Sequence, residues 1–393
     1  MRKTISLFLF RIFSTLCFMA QQSSMQHIIG QVREKHVPDS RKEIFDVVAS
    51  QHSGTIVLSG ETTSKAAYRE MLVKAGETAG FVKNDIRLLP DGVVGEKCWG
   101  VVYNSVEKLY SGSSHGCEIL SEVLLGMPVR LLDKTGGWRR VQTPEGYIGW
   151  VSGGIKTMTE AELREYNQKE KVVVTVLYAF SYEKADVKSQ TISNLVIGDM
   201  LALKGMKDSF YRVMYPDGRE AYIRKSDSEE VKKWLVDKEL TPESIVRTAQ
   251  QFMGIPYVWG GVSSNGLDCS GLVKLVYFLH GVILQRDASQ QVLTGEPVDD
   301  KGNFASLQPG DLLFFGTGVT KESPKKRVVH VAIYIGNRRF IHASDYVQIG
   351  SFDPADPLYD EYNAGRYLCA RRIIGEVNTD GIEGVPDNAF YKP

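Results

Sequence analysis

Cys269, His330 and His342, in the last third of this chain, are of types and in an order suited to breaking an acyl bond. Cys269 stands in Leu267-Asp268-Cys269-Ser270-Gly271-Leu272, after the glycine-rich stretch Pro256-Tyr257-Val258-Trp259-Gly260-Gly261. Leu272, Val273, Val276 and Tyr277 then fall on one face of a predicted helix, which puts the thiol at a helix N-terminus. The partial positive charge of the exposed amides there favours a thiolate, so the thiol pKa is expected below its free value near ~8.5. Neighbouring N–H groups could hold an oxyanion. His330 interrupts an apolar strand run, Val328-Val329-His330-Val331-Ala332-Ile333, and a buried imidazole costs free energy unless it is hydrogen-bonded. His342, in Arg339-Phe340-Ile341-His342-Ala343-Ser344, lies on the next predicted strand beyond a turn at Gly336-Asn337. The three residues can serve as nucleophile, general base and the group that fixes the tautomer of the base.

Each residue also has a purely structural use. A single cysteine is more often a small buried hydrophobe than a nucleophile, and a lone strand histidine is more often a satisfied core residue than a base. The conjunction shifts the balance: a glycine-rich approach, a cysteine at a helix start and two histidines on adjacent strands. A metal site would use the same residue types, but the spacings are not those of compact zinc motifs and no fourth ligand stands out, so neither metal nor cofactor is expected. Cys98 and Cys117 could pair in an oxidising compartment, though small buried hydrophobes are the preferred reading for them and for Cys369.

The elements that must position this chemistry can be read from pattern. Thr241-Pro242-Glu243 is an N-cap, a first-turn proline and an acid, so a helix starts there and Gly254 should close it. Leu307-Gln-Pro-Gly-Asp-Leu-Leu-Phe-Phe315 supplies another strand for the sheet that bears the histidines. Upstream lies a degenerate repeat: Gly126, Trp138, Arg140, Val141, Pro144, Gly146 and Trp150 recur as Gly198, Phe210, Arg212, Val213, Pro216, Gly218 and Tyr222, at a constant offset of 72 residues. Each copy reads as short strands divided by turn dipeptides, which predicts two small β-barrels over residues 98–157 and 171–230. The charged run from Thr159 to Tyr166 is a helical connector between them. Residues 26–95 combine the strand-like run Gly54-Thr-Ile-Val-Leu-Ser-Gly60 with a helical run from Ser64 to Ala79, a small α+β segment with no chemical motif.

Lysine plus arginine and aspartate plus glutamate both number 47, so no net field draws the protein toward nucleic acid or an anionic membrane. The start, MRKTISLFLFRIFSTLCFMA, has the basic then apolar layout of a secretory signal over residues 1–20, which implies export to the periplasm or beyond. An uncleaved anchor is the alternative, disfavoured by the short apolar run, and no later segment is long and apolar enough to span a bilayer.

Tyr257-Val-Trp-Gly-Gly, Asp268-Cys-Ser-Gly, Pro309-Gly-Asp-Leu, His330-Val-Ala-Ile-Tyr-Ile-Gly and Ile341-His-Ala-Ser resemble, in order, the signature segments of the NlpC-type cell-wall cysteine peptidases. The resemblance spans residues 245–372 within a peptidase domain placed at 241–375. It implies a papain-like α+β fold, the cysteine helix packed on an antiparallel sheet, with Cys269 as nucleophile, His330 as base and His342 as its orienter. The two predicted barrels resemble bacterial SH3-like domains, and the segment before them faintly resembles the lipid-associated BON module.

With SH3-like domains ahead of the peptidase, the chain as a whole resembles the γ-D-glutamyl-L-diamino acid endopeptidases. These cut stem peptides whose L-Ala is free, between D-Glu and meso-diaminopimelate or Lys. The resemblance implies that Asp268, Tyr257 and Trp259 bind the L-Ala ammonium and position the substrate, with Ser270 and the segment Arg286-Asp287-Ala288-Ser289 lining the same pocket. A carboxylate and aromatic faces suit an ammonium. Glu118 and Tyr147 of the first barrel are further candidates, in competition with Glu122 and Trp150 and with an ordinary barrel-surface role. Two other readings stand beside this one: a hydrolase of intact or cross-linked peptidoglycan with SH3-like wall anchors, and an inactive wall-binding protein.

Overall fold

The computed structural model describes residues 23–52, 55–79, 82–237, 239–299, 302–319 and 326–392. The leader expected over residues 1–20 lies outside them. Among the described residues no helix is long and apolar enough to cross a membrane. The chain divides into two compact units, one of residues up to Gly95 with Leu132–Lys134, the other of Glu96–Leu131 and Thr135 onward.

In the first unit a helix over residues 23–36 precedes strands Phe45–His52 and Thr55–Thr62, helix Lys65–Ala79 and strand Val82–Leu88. The first two strands pair antiparallel and the third runs parallel to the second, as a helical crossover requires. Ala67, Met71 and Ala75, one turn apart, bury one helix face against Phe45, Val47 and Leu58 of the sheet.

The second unit begins with two seven-stranded sheets. In the first, neighbouring strands are Ile155–Met158, Trp99–Val102, Pro128–Thr135, Trp138–Gln142, Ile148–Val151, Val106–Tyr110 and Ile119–Leu124. In the second they are Ser228–Glu230, Lys171–Val174, Met200–Lys207, Phe210–Met214, Glu220–Arg224, Tyr178–Tyr182 and Thr191–Val196, the same order of chain segments. The register shifts at Leu109/Tyr110 in one and at Ser181/Tyr182 in the other, again 72 residues apart. Gly126 and Gly198 hold φ of 82° and 91°, and a side chain at Gly126 would meet the Met200 carbonyl, so the repeat retains glycine where the turn demands it. Helix Glu160–Gln168, between the sheets, opens on a capping box of Thr159 and Glu162.

The remainder packs helices on a six-stranded antiparallel sheet of strands Glu296–Asp299, Tyr367–Arg372, Leu312–Thr317, Arg327–Gly336, Arg339–Ala343 and Val347–Ser351, in that order. Helix Pro242–Gln250 starts at Thr241 as expected, but it ends at Gln250; Gly254, at φ 82°, turns the chain after the helix rather than capping it. Helix Cys269–Phe278 is buried along its whole length. Its Leu272, Val273, Val276 and Tyr277 share a core with Leu312, Phe314, Val331, Ile333 and Ile341, so alternate residues of the central strands clamp the helix to the sheet.

Candidate active site

Asp268 is the N-cap of the helix that Cys269 begins. Its Oδ1 accepts from the Gly271 amide at 2.7 Å and its Oδ2 from the Gly260 amide at 3.0 Å, which ties the glycine-rich loop to the helix start. The same carboxylate takes a forked contact from Arg286, at 2.5 Å to Nη2 and 3.2 Å to Nη1. Arg286 is 1% exposed, and it also donates to Ser270 Oγ at 2.9 Å and to Ser121 Oγ of the first seven-stranded sheet at 2.8 Å. Burial opposes the charge of Arg286, but the Asp268 carboxylate more than offsets this and holds the guanidinium pKa above its ordinary value. The Asp268 charge therefore already has a fixed partner.

The thiol corrects the expectation of a lowered pKa. Burial, reinforced by the neighbouring Asp268 charge, pushes Cys269 up to about 12, against the smaller opposing effects of hydrogen bonds from the Val331 and Ser270 amides and of the Arg286 charge. With its pKa raised, the thiol would need a base to take its proton before it could act as a nucleophile at neutral pH. The amide of Val331, next to His330, points at the sulfur, and the cysteine helix packs on strand Arg327–Gly336.

His330 Nε2 lies 2.9 Å from His342 Nδ1, which supplies the partner that a buried imidazole requires. His342 Nε2 in turn lies 3.8 Å from Asp360 Oδ2. With a proton on Nε2 of each ring, His330 donates to His342, His342 faces a carboxylate, and His330 Nδ1 is left as an acceptor. Burial lowers His330 to about 3, aided by His342, and lowers His342 to about 4 against the opposing pull of Asp360. Both rings are neutral at neutral pH, the form a general base needs.

The thiol opens into a cleft of about 420 Å³. Tyr257, Trp259, Asp268, Ser270, Asp287 and Ser289 line it from the peptidase side, and Glu118 and Tyr147 from the first seven-stranded sheet. Trp259 Nε1 donates to Glu118 Oε1 at 2.9 Å, and the Tyr147 hydroxyl donates to Asp287 Oδ2 at 3.1 Å, so both walls are joined by hydrogen bonds at the cleft. Burial, with Cys269 and Asp268 beside it, holds the Tyr257 hydroxyl above its ordinary pKa. Glu122 and Trp150 are used elsewhere: Glu122 accepts from the Val262 amide at 2.9 Å, and Trp150 lies under Arg140. Cys98 and Cys117 are separate thiols. Among the described residues no group of three or more His, Cys, Asp or Glu is arranged to hold a metal.

Sequence reasoning missed two contributors. Asp360 caps the short helix Glu361–Ala364, accepting from the Asn363 amide at 3.0 Å, and nothing in its local sequence points to His342. Ser121 carried no signal at all; only the fold brings it to Arg286.

The model of the NlpC/P60 family matches residues 254–372, and that of the bacterial dipeptidyl-peptidase SH3 domain matches residues 109–153. A γ-D-glutamyl-L-lysine dipeptidyl-peptidase of Bacillus cereus is 32% identical over 273 residues, 67% of this chain and 78% of the relative. Dipeptidyl-peptidase 6 of Lysinibacillus sphaericus is 29% identical over 268 residues, 66% of this chain and 93% of the relative. The crystal structure of an NlpC/P60 family protein from Bacillus cereus superposes with a TM-score of 0.58 at 25% identity, covering 70% of this chain and 99% of that one.

Proposed function

Because the chain belongs to the NlpC/P60 family, we propose that it hydrolyses peptidoglycan-derived stem peptides with a free N-terminal L-Ala, cutting between γ-linked D-Glu and the diamino acid. In this reading residues 241–375 are a papain-like cysteine peptidase domain, residues 98–157 and 171–230 are two SH3-like domains, residues 26–95 are a separate α+β segment, and the protein is exported after loss of residues 1–20. The names borne by the Bacillus and Lysinibacillus relatives support the substrate class.

The observation that carries the reading is the joined cleft, where Glu118, which accepts from Trp259, and Asp287, which accepts from Tyr147, face the same space as the thiol. Two carboxylates with a tyrosine hydroxyl suit a primary ammonium. Asp268 lines the cleft but spends its charge on Arg286, so it acts on the ammonium through the field and through the position of the loop. The face of Trp259 packs over the peptide. Arg327, exposed on the rim, supplies a cation for a carboxylate of the stem peptide.

In the chemical step Cys269 Sγ attacks the γ-carbonyl carbon of D-Glu while its proton passes to His330 Nδ1, and His342 accepts from Nε2 of the imidazolium that forms. The helix N-terminus faces the oxyanion. Collapse of the tetrahedral intermediate breaks the amide bond, the leaving amine takes the proton from His330, and a thioester of L-Ala-D-Glu remains on Cys269. Water, deprotonated by the same histidine, then releases the dipeptide and restores the thiol.

Mass spectrometry of L-Ala-γ-D-Glu-meso-diaminopimelate and of its N-acetyl form, each incubated with wild type and with Cys269→Ala, tests this. Release of L-Ala-D-Glu from the free peptide by wild type alone is expected. Equal cleavage of the acetylated form would move the assignment to a hydrolase of intact wall.

A further inference from the structure

Downstream of the matched peptidase segment, residues 376–392 run back across the molecule to the first seven-stranded sheet. Strand Ile382–Gly384 pairs with Val282–Leu284, which anchors the tail to the peptidase. Asn388, 2% exposed, then donates from Nδ2 to the Pro144 carbonyl at 3.0 Å and to Glu383 Oε2 at 2.7 Å. Two residues on, Phe390 sets its ring edgewise on Trp99 at 5.1 Å, and Asn167 Nδ2 donates to the carbonyls of Phe390 and Lys392, both at 2.9 Å.

Pro144 belongs to the turn Thr143–Tyr147, the turn that delivers Tyr147 to the cleft. Its next residue, Glu145, is 7% exposed and forms a buried ion pair at 3.4 Å with Lys274, from the cysteine helix itself. Gly146 donates to Thr143 O at 2.8 Å, and Gln142 Nε2 donates to Gly146 O at 3.1 Å, so the turn moves as one piece. Its outward groups are held by the cysteine helix and the tail.

We propose that the tail is a strap, and that Asn388, with the Glu145–Lys274 pair, is a positioning residue that sets the Tyr147 hydroxyl against Asp287 and so fixes recognition of the substrate amine. The strap touches neither the thiol nor the histidines, so loosening it should affect selectivity ahead of chemistry. Tyr147 reaches Asp287 across the boundary between two domains, and a displacement of the turn by an ångström is enough to lose a hydrogen bond of 3.1 Å. This inference rests on the proposed preference for a free amine.

The test uses the full-length chain as wild type, Asn388→Ala and Phe390→Ala, with two substrates: L-Ala-γ-D-Glu-meso-diaminopimelate and its deamino analogue, propionyl-γ-D-Glu-meso-diaminopimelate. The ratio of their kcat/KM values measures amine recognition. Wild type should favour the free amine; each variant should lower the ratio by at least about fivefold, through a higher KM for the amine, a loss of ~1 kcal/mol typical of one hydrogen bond. Turnover of the deamino peptide and the rate of Cys269 alkylation by iodoacetamide should stay at wild-type values. An unchanged ratio in either folded variant, or an equal loss on both substrates, overturns the strap. A wild type that does not favour the free amine overturns the amine reading, and the strap with it.

Discussion

Replacing Asp268 by Asn distinguishes a ligand from a strut. The substitution keeps the volume and an oxygen that can still accept from the Gly271 amide, so the helix cap, worth about 1 kcal/mol, survives. What it removes is the charge opposite Arg286, whose Nη2 lies 2.5 Å from Oδ2 and whose side chain is 1% exposed. Breaking a buried pair from one side costs roughly 3–5 kcal/mol, because the remaining charge cannot return to water. In a body of this size each kcal/mol is worth roughly 2–4 °C of Tm, so the variant should melt on the order of 10 °C lower. Adding Arg286→Met removes the orphaned charge and should recover much of that loss. Thermal unfolding followed by circular dichroism reads both effects, with kcat/KM for the free and deamino peptides measured below the transition. A Tm within a degree or two of wild type, together with loss of amine preference, would refute the reasoning and make Asp268 the direct ammonium ligand.

Three other outcomes are expected. Asp287→Asn and Glu118→Gln should each lower kcat/KM for the free-amine peptide by roughly 10- to 100-fold, the worth of a charged hydrogen bond, while sparing Tm and the deamino peptide; parallel losses on both peptides would remove these residues from amine recognition. Activity should persist down to about pH 4, because the base works unprotonated and burial has lowered His330 to about 3 and His342 to about 4; an acid limb of kcat/KM near pH 6.5 would mean that the rings are solvated. Stability carries the same sign: unfolded histidine takes a proton near ~6.5 and these two resist, so unfolding free energy should fall by up to about 1.4 kcal/mol per pH unit per ring as pH drops from about 6 to about 4. Urea titrations of wild type and of His330→Gln/His342→Gln check this, the variant losing the slope.

How much of this was legible in the sequence depended on whether the information was local. Cys269 and its cap lie within one turn of helix, and Leu272, Val273 and Val276 announce the buried face, so the cysteine helix and its start could be read directly. His330 stood out as a polar residue in an apolar run, and the 72-residue repeat survived in the glycines and turn dipeptides that backbone geometry enforces. Partner choice was not legible. Asp268 reads as an acid facing the substrate, and its second role, the fork with Arg286 eighteen residues on, is set only by folding. Asn388 and Pro144 are 244 residues apart, and neither type advertises a contact with the other. Spacing encodes elements; the pairing of polar groups between elements is set by tertiary packing, which leaves no period to detect.

The thiol pKa shows the same limit in energetic form. A cysteine at a helix N-terminus points to a thiolate, because the amide dipoles are the only feature visible in the sequence. Burial outweighs them, and the same burial pushes both histidines down, so the site holds a neutral pair. The two shifts do not add up to the cost of proton transfer. Each measures one lone charge in a dry site, whereas transfer from Cys269 to His330 creates opposite charges side by side, and their attraction in low dielectric offsets much of both penalties. In the proposed reaction the neutral pair keeps the thiol unreactive until substrate binds. Activation then depends on orientation within Cys269, His330, His342 and Asp360, which makes the hydrogen bond of 2.9 Å between the rings matter more than the charge of any single member. His342→Ala, which removes the acceptor of His330 Nε2, should therefore lower kcat by roughly 100-fold or more, whereas His342→Asn, which can keep an acceptor, should retain a measurable part of it. Equal rates for the two variants in single-turnover experiments would show that the second ring only fills space.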